Sequence, residues 1–396
     1  MEVGEVRPRE DAQPDPETQH VGGEDAASVM SDRAHARERR LRAQPLDPLS
    51  DPRWETYVEK QTDALVYHHP AWLEVLQRAY GDELVAFACE TDDGELRGVL
   101  ALSRTRGLVT GRRLSSLPYT PLAGPLASDE AAMAVLLRAA LDEARARNAY
   151  LQIKAYSAHL GTLVDGLSAV PWETTYIVEL PDTPENLRFG NSRNHARIKW
   201  AVNKAAKADV RVRHAETEAE LRAWYELYLT TMRGHVVPPR PYRFFQAMWE
   251  VLRPRQMMSL LIAEQDRGGR PRLIAGSVFL RFGSTVFYAF TGASTEDLAL
   301  RPHDVIQWTA LHDACRDGFR RYDLGEVAED DRGLAEFKLK WGAQPTPLYR
   351  YYYPAPSKAE ASVLGFGRVR GMGRAIWPHV PLKVTELLGD RIYRYY

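Results

Sequence analysis

Lysine is scarce: nine residues in a chain of 396 that is otherwise rich in arginine, so any gathering of lysines stands out. Cysteine is scarcer still. Cys89 and Cys315 lack the paired spacing of a zinc site or a redox motif, and two buried thiols in a reducing compartment are the expectation. No run approaches the roughly 18 apolar residues of a membrane span, and the first residues hold no apolar core of the signal-peptide kind. With a formal net charge of -1, no global field draws the chain to nucleic acid or an anionic membrane, so such contact has to be local. DNA is not an expected partner. Gly-x-Ser-x-Gly, a Walker loop and Gly-x-Gly-x-x-Gly are all missing, which removes support for serine-hydrolase, P-loop and dinucleotide-fold readings. The chain is expected in the cytoplasm, with contact at the inner face of the membrane left open.

Residues 1–45 are rich in Glu, Asp, Arg and Pro. With little apolar surface to offset ordering entropy, that segment is predicted to be disordered. The whole chain is 44% hydrophobic and 27% charged, which is enough apolar content for two or three domains at this length.

What is present is a unit that occurs twice. Leu84–Glu90, the turn at Asp93-Gly94 and Gly98–Leu102 read as a β-hairpin. Leu260–Glu264, the turn at Gly268-Gly269 and Gly276–Leu280 repeat it. After the first hairpin, Ala131–Arg147 has helical periodicity and stops at Asn148, a left-handed cap, before the strand Tyr150–Ile153. After the second, 303–317 is helical, Gly318 is the cap and Arg321–Leu324 is the strand. Amphipathic helices open each half, at 70–80 and then at 218–233 and 241–252, with Pro70 suited to a first turn. The predicted architecture is therefore α+β, with two tandem GNAT-like domains, each a mixed β-sheet flanked by helices. The first spans 46–180, the second spans 181–355 and holds the active site, and a C-terminal tail, 356–396, packs on both.

The order and spacing of several short segments resemble the FemAB family, the tandem-GNAT aminoacyl and acyl transferases of peptidoglycan bridge formation. They are His68-His69-Pro70-Ala71-Trp72-Leu73, Leu117-Pro118-Tyr119 with Gly124-Pro125-Leu126, Ser192-Arg193-Asn194, Thr231-Met232-Arg233, Tyr322-Asp323-Leu324-Gly325, and Gly333 to Gly342 with Phe337-Lys338 and Trp341-Gly342-Ala343. The resemblance covers about 65–355. It implies amide formation on a cell-envelope precursor, with aminoacyl-tRNA as co-substrate and no bound cofactor. The long helical arm that some members insert is not seen, since 253–260 passes directly from helix to strand.

Lys338 borders an apolar helical stripe of Leu334, Phe337 and Trp341, which fall within about 60° of one another. Lys340 points away from that stripe. On these residues alone Lys338 snorkels to water. The resemblance instead implies a functional lysine that steadies the oxyanion of acyl transfer, with Phe337 and Trp341 binding substrate beside it. Asp323, at a strand end next to Gly325, is a candidate general base.

On the helix after Ser192, Arg193, Arg197, Lys204 and Lys207 share roughly an 80° sector that Trp200 joins. This face is either solvated surface or a phosphate-binding surface with an indole for stacking. Arg233, His235, Arg240 and Tyr242 flank the Pro238-Pro239 connection, and Arg233 and Tyr242 are candidate substrate contacts. His303 and His312 are nine residues apart and point in opposed helical directions, so no shared metal is expected.

Acetyl-CoA is disfavoured as donor, because Ala299-Leu300-Arg301-Pro302-His303 offers no glycine for a phosphate cradle at a helix start. Two alternatives stay open: an acyl-CoA-dependent transferase acting on a sugar, polyamine or natural-product amine, and a non-catalytic tandem-GNAT binding protein.

Overall fold

The structure is a computed structural model that describes residues 40–107, 111–356 and 377–394. Most of the segment expected to be disordered, residues 1–39, lies outside the described residues. Its end is corrected, because strand β1 (Arg42–Pro45) already pairs with β2 (Glu83–Glu90).

Local chemistry sets the element boundaries. Helix α1 (Pro52–Lys60) is capped by the Asp51 carboxylate, and α2 (Pro70–Tyr80) by His69, whose ring accepts from the Ala71 N–H at 3.1 Å. Pro70 occupies the first turn of α2, where a missing N–H costs nothing. The hairpin of β2 and β3 (Leu96–Gly107) leads to β4 (Gly111–Ser115) and the short β5 (Leu126–Ala127). Helix α3 (Glu130–Arg147) ends at Asn148 in the left-handed conformation, as its sequence suggests. The strand β6 (Tyr150–Ala155), the one-turn α4 (Leu160–Leu163) and β7 (Ser168–Glu179) complete the first half of the chain.

The second half runs α5 (Ser192–Lys207), β8 (Val210–His214), α6 (Glu218–Gly234), α7 (Tyr242–Val251), β9 (Met258–Asp266), β10 (Pro271–Phe282), β11 (Thr285–Ala293), α8 (Pro302–Arg316), β12 (Arg321–Val327), α9 (Arg332–Lys340) and β13 (Gln344–Tyr353). A last helix, α10 (Leu382–Arg394), follows. Thr217 and Glu220 form a reciprocal capping box at the start of α6. The passage from α7 to β9 is direct, with no inserted arm.

All thirteen strands belong to one sheet in the order β1-β2-β3-β4-β6-β13-β7-β12-β11-β10-β9-β8, with β5 beside β3. Read from either end the order is the same, once β1 is matched with β8, β2 with β9, and so on inward. The parallel pairs correspond too: β4 with β6, and β11 with β12, three residue pairs each. The middle corrects the expected division at 180/181. Strand β7, from the first half, pairs with β12 of the second, while β13, the last strand, pairs with β6 of the first. Each half has given its final strand to the other, and β7 and β13 meet antiparallel at the centre. Backbone pairing across the centre overrides the order along the chain.

Side chains alternate across the strands, so each strand feeds two cores. Val99 and Ala101 of β3, and Leu260 and Ile262 of β9, join a core shared by α1, α2, α6 and α7. Their neighbours Leu100 and Leu102 lie under α3, and Leu261 and Ala263 under α5 and α8. The shared core carries Trp54, Trp72, Trp224, Phe244 and Phe245, all fully buried. It bonds the halves on one face of the sheet. At Gly292 the backbone of α6 comes so close to β11 that an added Cβ would sit 2.4 Å from the Tyr228 nitrogen. That obstacle is main chain and cannot rotate aside. Gly292→Ala is expected to cost about 2–3 kcal/mol of stability, read by urea unfolding.

Of the expected tail, 357–376 lies outside the described residues. Helix α10 packs on the body of the protein: the Tyr119 hydroxyl donates to the Tyr393 carbonyl, Tyr393 donates to the Pro238 carbonyl at 3.3 Å, and Arg243 pairs with Asp390.

Candidate active site between the two halves

Strands β11 and β12 run side by side only from Thr285 opposite Arg321 to Phe287 opposite Asp323. Directly afterwards the register of β12 against β7 slips between Asp323 and Glu326, and Gly325 takes φ 84, a conformation glycine adopts without strain. The strands part, and a cavity of about 590 Å³ occupies the opening. Phe287 to Phe290 and Asp323, Gly325 and Glu326 form its second-half wall. Trp172, Glu173 and Thr175 of β7, Leu348 and Arg350 of β13, and the 118–122 loop of the first half close it. The exchanged strands therefore build part of the cavity.

Asp323 sits in this wall, 3% exposed. One carboxylate oxygen accepts from the Thr175 hydroxyl at 2.5 Å and the Gly325 N–H at 2.7 Å, and the other from the Tyr156 hydroxyl at 3.1 Å. Burial raises its pKa above the ordinary aspartate value, opposed by those three hydrogen bonds and by the charge of Lys338. A carboxylate held so rigidly, and readier than usual to take a proton, has the chemistry of a general base.

Lys338 is likewise 3% exposed, so the snorkelling alternative is overturned. Its ammonium does not project into the cavity, however. It donates to the carbonyls of Gly325 at 2.8 Å and Glu326 at 3.0 Å, behind the point where β12 bends. Burial lowers its pKa to about 8, opposed chiefly by Asp323 and Glu326. Lys338 thus fixes the bend of β12 and places a positive charge behind the cavity wall, instead of standing at its mouth.

Other expectations need correction. Phe337 and Trp341 do not line the cavity. Trp341 is fully buried, edge-on to Phe189 at 5.2 Å, and Phe337 packs against the same core. Of the apolar stripe of α9, Phe337 and Trp341 pack in the core and Leu334 is exposed. Lys340 does not point away from it: its nitrogen lies 4.8 Å from the Phe337 ring centroid and 5.4 Å from that of Trp341, and it pairs with Asp304.

Arg193, Arg197 and Lys204 are exposed on α5 and are absent from the cavity lining. They share a surface with Trp200, which is 55% exposed, with Lys204 5.4 Å and Arg301 5.6 Å from its ring centroid. Arg233 reaches the Val380 carbonyl at 3.4 Å, and Tyr242 donates to Glu218 at 3.3 Å beneath Arg222, both away from the cavity.

From the Pro-rich connection it is Arg240 that enters the lining. It donates to the Tyr119 carbonyl at 2.7 Å and the Tyr80 hydroxyl at 3.3 Å. Arg350, Thr175, Tyr156 and Trp172 went unrecognised in the sequence, since nothing in linear spacing shows that β7 and β13 are neighbours here. The only trace is the aromatic run Tyr349 to Tyr353 around Arg350.

Among the described residues, the corresponding place in the first half is filled by a side chain. Counting from the last parallel pair, Ser115 opposite Gln152 corresponds to Phe287 opposite Asp323, so Lys154 takes the place of Gly325. Its buried ammonium donates to the carbonyls of Leu117, Pro118 and Thr120 at 2.7–3.0 Å and fills the gap.

This geometry has relatives. Residues 191–339 match the acetyltransferase (GNAT) domain family. The match lies within the second half of the chain. By sequence, no curated protein matches the chain. Among solved structures, FemX superposes with a TM-score of 0.61 at 16% identity, over 85% of this chain and 99% of FemX. The C-terminal domain of a putative lysylphosphatidylglycerol synthetase from Agrobacterium fabrum gives 0.51 at 13% identity, over 79% of this chain and 95% of that one. L-PGS from Bacillus licheniformis gives 0.50 at 12%, over 76% and 97%. At such identities the likeness is one of fold, and the fold is that of two GNAT domains in tandem.

Proposed function

We propose that this tandem GNAT acyltransferase joins an aminoacyl group from aminoacyl-tRNA to a primary amine of a cell-envelope precursor, forming an amide in the cavity between its halves. The observation that carries this reading is Asp323, a buried carboxylate of raised pKa in the wall of that cavity. The amine attacks the ester carbonyl and a C–N bond forms. Asp323 takes the proton that the nitrogen loses, and collapse of the tetrahedral adduct breaks the C–O bond and releases the tRNA 3′ hydroxyl, which recovers a proton. Holding amine and ester together supplies much of the rate. Lys338 places a positive charge behind the wall and fixes Gly325 and Glu326.

Likeness of fold to FemX and to lysylphosphatidylglycerol synthetases supports aminoacyl transfer. The start of α8 supports it as well. Pro302 there has no N–H to offer and Arg301 stands where a phosphate cradle wants glycine, so the residues present do not fit the diphosphate of acyl-CoA. The direct test is transfer of a labelled amino acid from charged tRNA to a panel of amines. Strong micromolar heat on titration with acetyl-CoA, with no transfer from tRNA, replaces this reading by the acyl-CoA one.

RNA would lie along the exposed face of α5, with Arg193, Arg197 and Lys204 against phosphates and Trp200 for a base. Changing all three cations to glutamine is expected to weaken tRNA binding at least tenfold and to reduce the salt slope of log K by about 2, leaving kcat at saturating tRNA unchanged. Filter binding across a salt series checks it, and an unchanged slope removes tRNA from this face.

Activity should be bell-shaped in pH. The acid limb lies above the ordinary aspartate range because Asp323 has to be ionised, and the alkaline limb lies at about 8, where Lys338 loses its charge. A pH series of kcat/KM checks both limbs, and a flat profile through pH 9 contradicts the role given to Lys338.

A further inference from the structure

Helix α10 has two faces of different chemistry. Thr385, Gly389 and Tyr393, spaced four residues apart, form a buried inner ridge. At Gly389 an added Cβ would run into the Pro239 carbonyl oxygen, so the helix touches the Pro-rich connection backbone to backbone. Tyr393 lines the cavity. Both acids of the helix are turned the same way: Asp390 pairs with Arg243, and Glu386 meets the Tyr225 hydroxyl.

The outer face is of another kind. With a helical advance of 100° per residue, Lys383, Leu387, Arg391, Val384 and Leu388 fall in a sector of about 140°, and no acid stands in that sector. Val384, Leu387 and Leu388 are 39–58% exposed, with Lys383 and Arg391 exposed beside them. Apolar side chains left in water along one stripe contribute nothing to this fold and mark a contact surface. The charges around them are of one sign, although the whole chain has a formal net charge of -1. The sequence leading into the helix continues that sign: over 357–376 it holds Lys358, Arg368, Arg370 and Arg374 against one acid, Glu360.

We propose that the outer face of α10 docks on a bilayer of anionic phospholipid. A helix of this kind lies in the plane of the interface, its leucines among the upper acyl chains and its cations level with the headgroups. Each Lys or Arg held near an anionic surface adds to the attraction. A second copy of the chain fits less well. An isologous contact brings Lys383 and Arg391 against the same cations of the other copy, and three apolar side chains fall far short of the roughly 1,200–2,000 Å² that a specific dimer buries. Because α10 also carries Tyr393 into the cavity wall, docking sets the cavity one helix diameter, roughly 10–12 Å, from the headgroups. The surface does not depend on which reaction the cavity performs, so failure of the amide-forming reading leaves lipid binding untouched.

The test is flotation of the full chain with unilamellar vesicles of phosphatidylcholine alone and of phosphatidylcholine mixed with phosphatidylglycerol. Binding to the anionic vesicles is expected, about tenfold tighter than to the neutral ones and weakened by salt. Changing Leu387→Gln and Leu388→Gln together should weaken it about tenfold. Changing Lys383→Glu and Arg391→Glu together should bring it down to the level of neutral vesicles. Leu49→Gln, at another exposed leucine that precedes α1, should leave it unaltered. All these side chains are exposed, so each variant should melt with the parent.

No flotation with anionic vesicles, or flotation indifferent to both double changes, overturns the proposal. So does a concentration-dependent dimer in analytical ultracentrifugation that the Leu387→Gln and Leu388→Gln pair dissolves, since the occupant is then a second copy. A marked fall in the melting temperature of that same variant also overturns it, because the chain itself then covers the stripe.

Discussion

Asp323→Asn is expected to slow amide formation about a thousandfold, within the range that a positioned general base contributes. Asparagine keeps the shape and can still accept from Thr175 and Gly325, but it cannot take a proton. Its side-chain amide also turns two donors toward a pocket that offers Thr175, Tyr156 and the Gly325 N–H, all donors to the present carboxylate. Substrate affinity should change far less than kcat, because the loss falls on a step of the reaction and not on binding. The acid limb of the pH profile should vanish together with the residue. A variant that retains even a tenth of the parent rate shows that the proton leaves by another route, water being the first suspect.

Lys338→Met is expected to lower turnover about a hundredfold while the chain still folds. Methionine fills a similar volume but leaves the Gly325 and Glu326 carbonyls without their donor, so β12 loses the clamp on its bend. Loss of rate alone would not separate that mechanical effect from loss of charge. The pH profile does. If the charge matters, the parent's alkaline limb at about 8 disappears in Lys338→Met, whereas a purely mechanical role leaves the remaining activity with the same limb.

Stability supplies an independent check of opposite sign. Because burial depresses the pKa of Lys338 from 10.5 to about 8, the folded chain binds fewer protons at this group than the unfolded chain between those values. Its share of stability therefore rises with pH across that window, while activity falls. In Lys338→Met the rise should be gone. Urea midpoints at pH 7.5 and 10 read this directly, and an equal rise in both proteins contradicts the assigned titration.

The sequence disclosed the repeated unit and much of its punctuation because these are local. Asn148 and Gly318 take positive φ as helix-end residues do, and Pro70 stands in a first turn. Asp323 was legible for a related reason: a carboxylate beside glycine at a strand end marks a place where backbone turns away from its neighbour. Lys338 was legible as an unusual lysine, but its direction was not, since a helical wheel fixes an angle and says nothing of which strand lies beneath it. Phe337 and Trp341 show the same limit from the other side. Both were read as binding substrate, and both pack in the core of the second half. Arg350 was out of reach altogether. Its importance depends on β13 lying between β6 and β7, a pairing between segments almost two hundred residues apart that no local pattern encodes.

The traded strands have a consequence for how such a chain arises and how it comes apart. A pair of separate, identical subunits that swapped their last strands would show the same palindromic order, and joining the two genes end to end would preserve every backbone hydrogen bond of that dimer. The join is then a tether and not a hinge. Cutting the peptide between residues 181 and 190 should yield fragments that co-elute as a single particle, each still clasping a ribbon of the other.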